Sequence, residues 1–253
     1  MLKEYLKYIK TSCPAHIKKM GYLKESIATG ARYERLKEQW QPHIEKTMHA
    51  ILASAQKCKK KNRAVVLGSG HLHDVPIAVL ARQFKEVVLV DVVHPEEVKE
   101  LAQRMQNVKL VEHDITGVVE KIYPRPSGDF AKIKSAIPKA DYIVSVNILS
   151  QLPQIPAKWL GKKKADEKKI KELSTRIIKN HIDSLKKMSG VKCLITDYEF
   201  EIRNKNGGEV EKGSLLHNIK LPKANSEWIW DIAPAPEIDR NLNFRHKVAA
   251  FHL

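Results

Sequence analysis

Cysteine is scarce in this 253-residue chain: Cys13, Cys58 and Cys193 are scattered and odd in number. That argues against a disulfide framework and leaves no metal or redox spacing of the CxxC kind. Long apolar runs are missing as well. Nothing approaches the roughly 20 residues of a membrane helix, and MLKEYLKYIK at the amino end carries lysines where a signal peptide would be apolar. These absences lead us to expect a reduced, cytoplasmic protein with no membrane partner. There is no RGG segment, zinc ribbon or aromatic RNP-type strand, so no dedicated nucleic-acid module is legible. With 43% hydrophobic and 29% charged residues, the composition is that of a globular chain rather than a disordered one.

Positive charge, by contrast, is abundant and uneven. The net charge is +16, and residues 1–63 hold 15 Lys/Arg against 5 Asp/Glu. Such a basic region can meet RNA, DNA or an acidic partner through phosphate-type contacts, or simply present solvated helix faces. Residues 1–60 read as a helical extension or lid. Leu2, Tyr5, Leu6 and Ile9 form a first stripe; a helix is expected over Leu23–Trp40, and another from Pro42. Arg32 and Tyr33, with Tyr22 and Arg35, are candidate pocket residues, or ordinary surface and packing positions.

The informative stretch is Ala64–Asp91. It contains a continuous apolar run, a Gly68-Ser69-Gly70 turn, a short helical pattern and a second apolar run ending on a carboxylate. Continuous apolar runs of strand length point to a parallel sheet buried on both faces. Asp74 and Pro76 suit a helix start, and Ile77, Leu80, Ala81 and Phe84 share one helical face. Glycines at such a turn let a ligand approach the backbone, and Asp91 leaves the sheet at the same edge, where it can hold a ribose diol. A dinucleotide fingerprint would need glycine at His73, which disfavours a nicotinamide cofactor.

Later segments continue the alternation. Val108–Val111 is a third strand followed by Asp114-Ile115, with Asp114 also suited to capping a helix over Ile115–Ile122. A helix is expected over Asp129–Ile137, then a strand over Asp141–Val146 closing on Asn147. Trp159–Lys171 reads as a basic patch beside the cleft or a solvated insertion. Ile170–Met188 has a clear helical stripe, Val191–Thr196 a fifth strand ending at Asp197, and Ser226–Ile232 with Phe244–Leu253 a closing antiparallel pair. His71, His73 and His113 fall near the same sheet edge, without a third motif that would argue for metal.

Taken in order, strand–GxG–helix–strand–Asp, strand–Asp, strand–Asn and terminal hairpin resemble class I S-adenosylmethionine-dependent methyltransferases. The resemblance implies an α/β, Rossmann-like doubly wound sheet of about seven strands over residues 61–253, with S-adenosyl-L-methionine as cofactor. By it, Gly68 and Gly70 would contact the methionine end, Asp91 the ribose, Asp114 and Ile115 the adenine, and Asn147 the reacting edge, with Ser69 and Val92 also at the cofactor. Asn147 is thus the catalytic candidate; Ser150, Gln151 and Asp197 join Arg32 and Tyr33 as substrate candidates. The methyl acceptor is expected to be RNA or a small metabolite. Leu72 replaces the usual third glycine, which keeps open a catalytically silent binding module, with a nicotinamide-dependent oxidoreductase a more distant alternative.

Overall fold

The computed structural model describes residues 2–126 and 137–253, so the helix expected from Asp129 lies, up to its last residue, outside the described residues. Among the described residues the centre is an eight-stranded sheet. Strands β1 (Arg63–Leu67), β2 (Glu86–Asp91), β3 (Val108–Glu112), β4 (Tyr142–Val146) and β5 (Val191–Asn204) run parallel. Their apolar continuity has a simple cause: alternate residues enter two different cores. Ala64, Val66, Val87, Leu89, Tyr142 and Val144 pack under α4 (Lys37–Gln56), α5 (Ile77–Gln83) and α6 (Glu96–Gln103). Val65, Leu67, Val88, Val90 and Ile143 pack under α9 (Glu167–Lys187). Helices therefore cover both faces, as a parallel sheet requires.

The strand order is β3-β2-β1-β4-β5-β8-β7, where β7 (Ser226–Ala233) and β8 (Leu242–His252) are antiparallel. The chain moves outward from β1 to β3 and then crosses back to β4, so a crevice opens at the carboxyl ends of β1 and β4. The extra strand, β6 (Glu209–Ser214), pairs with β5 off this path. The fifth strand does not stop near Asp197 as expected. It bulges between Asp197 and Glu199, continues to Asn204, and turns back into β6. β6 is largely exposed and polar, so no apolar alternation announces it.

Before the sheet stand α1 (Leu2–Lys10), α2 (Ala15–Met20), α3 (Tyr22–Arg35) and α4. The expected single helix over Leu23–Trp40 is broken at Leu36, which takes φ −114°, ψ 23° and buries its side chain in the core. The next helix starts at Lys37 rather than Pro42. Pro42 lies inside it, where it removes one hydrogen-bond donor from the helix ladder. The α1 stripe is exposed instead of packed. Ile17, Met20 and Leu23 pack with α7 (Val119–Ile122), α8 (Gln154–Lys162) and α9, which fixes α2 and α3 over the carboxyl edge of the sheet.

Asp74 does not cap α5, whose N-cap is Pro76 without a side-chain bond. The basic run after Trp159 is solvated along most of its length but anchored at both ends. Leu160 is buried, Trp159 Nε1 donates to the Ile122 carbonyl at 3.1 Å, and Asp166 accepts from Lys169 N to cap α9. Between these anchors Gly161–Lys164 and Asp166–Lys169 are exposed.

Candidate active site

At the crevice lies a cavity of about 240 Å³, lined from α3, α4, the loops after β1, β2, β3 and β4, and β7. Each wall has a local origin. Gly68 turns the chain at φ +75°, and a Cβ there would sit 2.0 Å from Ile148 Cγ2, so only glycine lets the loops after β1 and β4 meet. Gly70 follows at φ +49°. Leu72, at the position of the missing third glycine, has φ +62°. It adopts a glycine-like backbone, with its side chain packed against the core.

Asp91 holds this loop. Its Oδ2 accepts from Gly70 N at 2.8 Å and its Oδ1 from Val92 N at 2.7 Å. Burial pushes its carboxyl pKa up, and the two amides act in the opposite sense. Asp114 serves the next loop with all its lone-pair capacity. It accepts from Thr116 N, Thr116 Oγ1, Val118 N and Val119 N at 2.5–2.9 Å, leading the chain into α7.

Asn147 ends β4 at φ +49°, a conformation asparagine tolerates. Its Nδ2 donates to Asp74 Oδ2 at 2.7 Å and lies 3.2 Å from His43 Nε2. Because a carboxylate only accepts, the amide orientation follows, and Asn147 Oδ1 is left buried without a partner. Gln151 Nε2 donates to the Asn147 carbonyl at 2.7 Å. Burial raises the pKa of Asp74, and the Asn147 bond offsets part of that rise.

The far wall is aromatic. Trp230 stacks on His43 with centroids 4.0 Å apart and 8° between planes, and Trp40 meets Trp230 edge-on at 5.0 Å. Trp228 Nε1 donates to His43 Nδ1 at 3.0 Å. Burial lowers the His43 pKa to about 3 and, for His73, to about 4. Tyr33 stacks on His73 at 3.5 Å. The helical roof is latched through His71, whose Nε2 contacts the Ser26 carbonyl at 2.8 Å and whose Nδ1 contacts Glu97 at 3.0 Å. Gly30 makes that approach possible, since a Cβ there would lie 2.6 Å from the His71 ring.

Of the residues singled out from sequence, Gly68, Ser69, Gly70, Asp91, Val92, Asp114, Ile115, Asn147, Gln151 and Tyr22 line one cavity, with His71, His73 and His113. Arg32, Tyr33, Ser150 and Asp197 are not among its lining residues. Arg32 and Arg35 both face Glu237, Arg35 through two hydrogen bonds of 2.5 and 3.1 Å. Ser150 donates to Asp197, which also pairs with His246 at 2.7 Å behind the aromatic wall. Sequence reasoning placed Asp74 near this sheet edge but did not anticipate Trp40, His43 or Trp230 as cavity residues. Trp40, His43 and Ile44 share a helical face that reads as plain core. Among the described residues, no group of three or more His, Cys, Asp or Glu is placed to hold a metal ion, and no helix is long and apolar enough to cross a membrane.

The strand order, the glycine turn and the carboxylate ending β2 define a Rossmann-like α/β fold with the sheet arrangement of class I methyltransferases. No family model matches the chain, and no curated protein sequence is similar to it. Solved structures similar to it include N-methyltransferase NodS from Bradyrhizobium japonicum WM9 in complex with S-adenosyl-L-homocysteine, at 12% identity and TM-score 0.39, covering 87% of this chain and 97% of that one. A DhpI–SAH complex has 12% identity and TM-score 0.41, covering 88% and 93%. The 1,6-didemethyltoxoflavin-N1-methyltransferase of Burkholderia thailandensis has 13% identity and TM-score 0.35, covering 90% and 89%.

Proposed function

We propose that the protein is an S-adenosyl-L-methionine-dependent methyltransferase acting on a small acceptor inside the cavity. The observation that carries this reading is the convergence of Gly68–Gly70, Asp91 and Asn147, from three separate loops, on one crevice at the reversal of strand order. The lining fits the cofactor's charge. Among the described residues it includes four carboxylates, Glu25, Asp74, Asp91 and Asp114, and no lysine or arginine, although the chain as a whole is strongly basic. That environment suits a sulfonium cation and opposes the pyrophosphate of a dinucleotide.

When bound, the cofactor supplies an electrophilic methyl group. The chain's own residues hold, orient and dehydrate the reactants. Gly68, Ser69 and Gly70 would border the methionine end, Asp91 with Val92 the ribose, and Ile115 the base. The Asp114 oxygens already serve Thr116, Val118 and Val119, so an adenine contact there has to share them. Asn147 would face the acceptor through its unpartnered Oδ1. Of the two acceptor classes, the acid-lined chamber favours a small metabolite over RNA, whose phosphates call for lysine and arginine.

Calorimetry with S-adenosylhomocysteine tests the reading, with micromolar binding expected and absence of binding counting against it. A catalytically silent module is the second reading, motivated by Leu72 in the glycine loop. Radiolabelled methyl transfer to small-molecule pools separates the two, since a silent module binds but does not turn over.

A further inference from the structure

We infer that the acceptor side of the cavity is a recognition site for an ammonium group, with Asp74 as the counter-ion and Asn147 Oδ1 as a second acceptor. The inference rests on the methyltransferase reading only in identifying that ligand as the acceptor.

Three observations carry it. Asp74 is a partly buried carboxylate without a cation: its one ion-pair geometry among the described residues is His43 Nε2 at 4.0 Å. His43 is no counter-charge, because Trp228 donates to its Nδ1 and burial holds the ring neutral. An uncompensated carboxylate against aromatic walls is costly, and a bound cation relieves that cost. Beside it, Asn147 is 7% exposed and its Oδ1 has no hydrogen-bond partner. A primary ammonium brings three N–H donors, enough for Asp74 and Asn147 Oδ1 together. A neutral alcohol brings one donor and no charge.

The third observation is that, among the described residues, no lysine or arginine lines the cavity of a chain with net charge +16. A phosphate or carboxylate ligand would meet Glu25, Asp74, Asp91 and Asp114 with no fixed positive partner in reach. Besides His73 Nε2, whose role depends on the tautomer, one lining side-chain atom asks for the opposite polarity: Trp230 Nε1, a buried donor without a partner. A single neutral acceptor atom on the ligand, or a water, satisfies it without charge. Asp74 is also placed to take the ammonium proton onto its carboxylate, which would leave the nitrogen lone pair free within the chamber.

The test uses three probe pairs: butylamine, benzylamine and phenethylamine, each against its alcohol counterpart. Affinity for the full chain is measured by calorimetry at pH 7, with and without saturating S-adenosylhomocysteine. At least one amine is expected to bind roughly tenfold or more tightly than its alcohol, and the preference is expected to vanish in Asp74→Asn. Alcohols binding as well as the amines, no amine binding at all, or a preference that survives Asp74→Asn overturns the inference. Binding of S-adenosylhomocysteine alone reports on the methyltransferase reading separately. An amine preference without it would keep the ammonium site and remove the cofactor assignment.

Discussion

Trp228 Nε1 donates a hydrogen bond to His43 Nδ1 at 3.0 Å, across 185 residues of sequence. Indole only donates, so His43 Nδ1 carries no proton and the neutral ring carries it on Nε2. Asn147 Nδ2 donates to Asp74 Oδ2, and His43 Nε2 lies 4.0 Å from the same carboxylate oxygen. Protonating His43 requires breaking the Trp228 bond. The expected outcome is an imidazole that stays neutral from pH 5 to 8 by NMR, and a Trp228→Phe variant whose His43 pKa moves up. Leaving Nδ1 unpartnered should cost about 1–3 kcal/mol in urea unfolding.

The two turn glycines should respond differently to alanine. At Gly68 the added Cβ collides with Ile148 Cγ2, whereas at Gly70 it meets nothing within 4 Å. Gly68→Ala is therefore expected to lower stability by about 2 kcal/mol or more, strain and overpacking acting together. Gly70→Ala should cost only the left-handed backbone term, roughly 1 kcal/mol. Thermal unfolding of the two variants side by side checks the contrast.

Asp91 has a double duty, bracing Gly70 and Val92 while facing the cavity. Asp91→Ala should weaken S-adenosylhomocysteine binding by about 1–3 kcal/mol, since both the ribose acceptor and the brace on the glycine turn are lost. Calorimetry measures this directly, and an affinity equal to wild type would remove Asp91 from the cofactor site.

Acid should destabilise the fold through buried histidines. His181 is fully buried, contacts Ser145 Oγ at 2.9 Å through Nε2, and has its pKa lowered by burial from 6.5 to about 4. Below pH 6.5 the unfolded chain takes up a proton that the folded chain refuses. Its contribution is thus whole above pH 6.5 and is lost as pH falls toward about 4. Urea unfolding at pH 7 and pH 5 should differ by roughly 1–2 kcal/mol for this residue. His181→Gln should flatten that dependence by its share, whatever its effect at pH 7.

Most of the sheet was legible because its signal is local. Residues 64–67 and 87–90 are apolar without interruption, and a strand buried on both faces can be written in no other way. The glycine turn and the carboxylate ending β2 were legible for the same reason, as backbone chemistry declared by residue type. β6 was not, since an exposed polar edge strand has no burial to encode. The break at Leu36 escaped because apolar spacing continues smoothly across it. The exposed α1 stripe escaped because periodicity says which residues share a face, not whether anything covers it.

The sequence alone determined the alternation of strands and helices and the turn that opens the crevice, because both follow from neighbours a few positions apart. Tertiary structure alone decided the chamber. It brought His43 from α4 against Trp228 and Trp230 from β7, turned Asp74 from a helix cap into a partner of Asn147, and, among the described residues, kept lysine and arginine out of the lining. Such pairings join segments 73 to 187 residues apart, and they are fixed by how helices pack on a sheet rather than by any spacing along the chain.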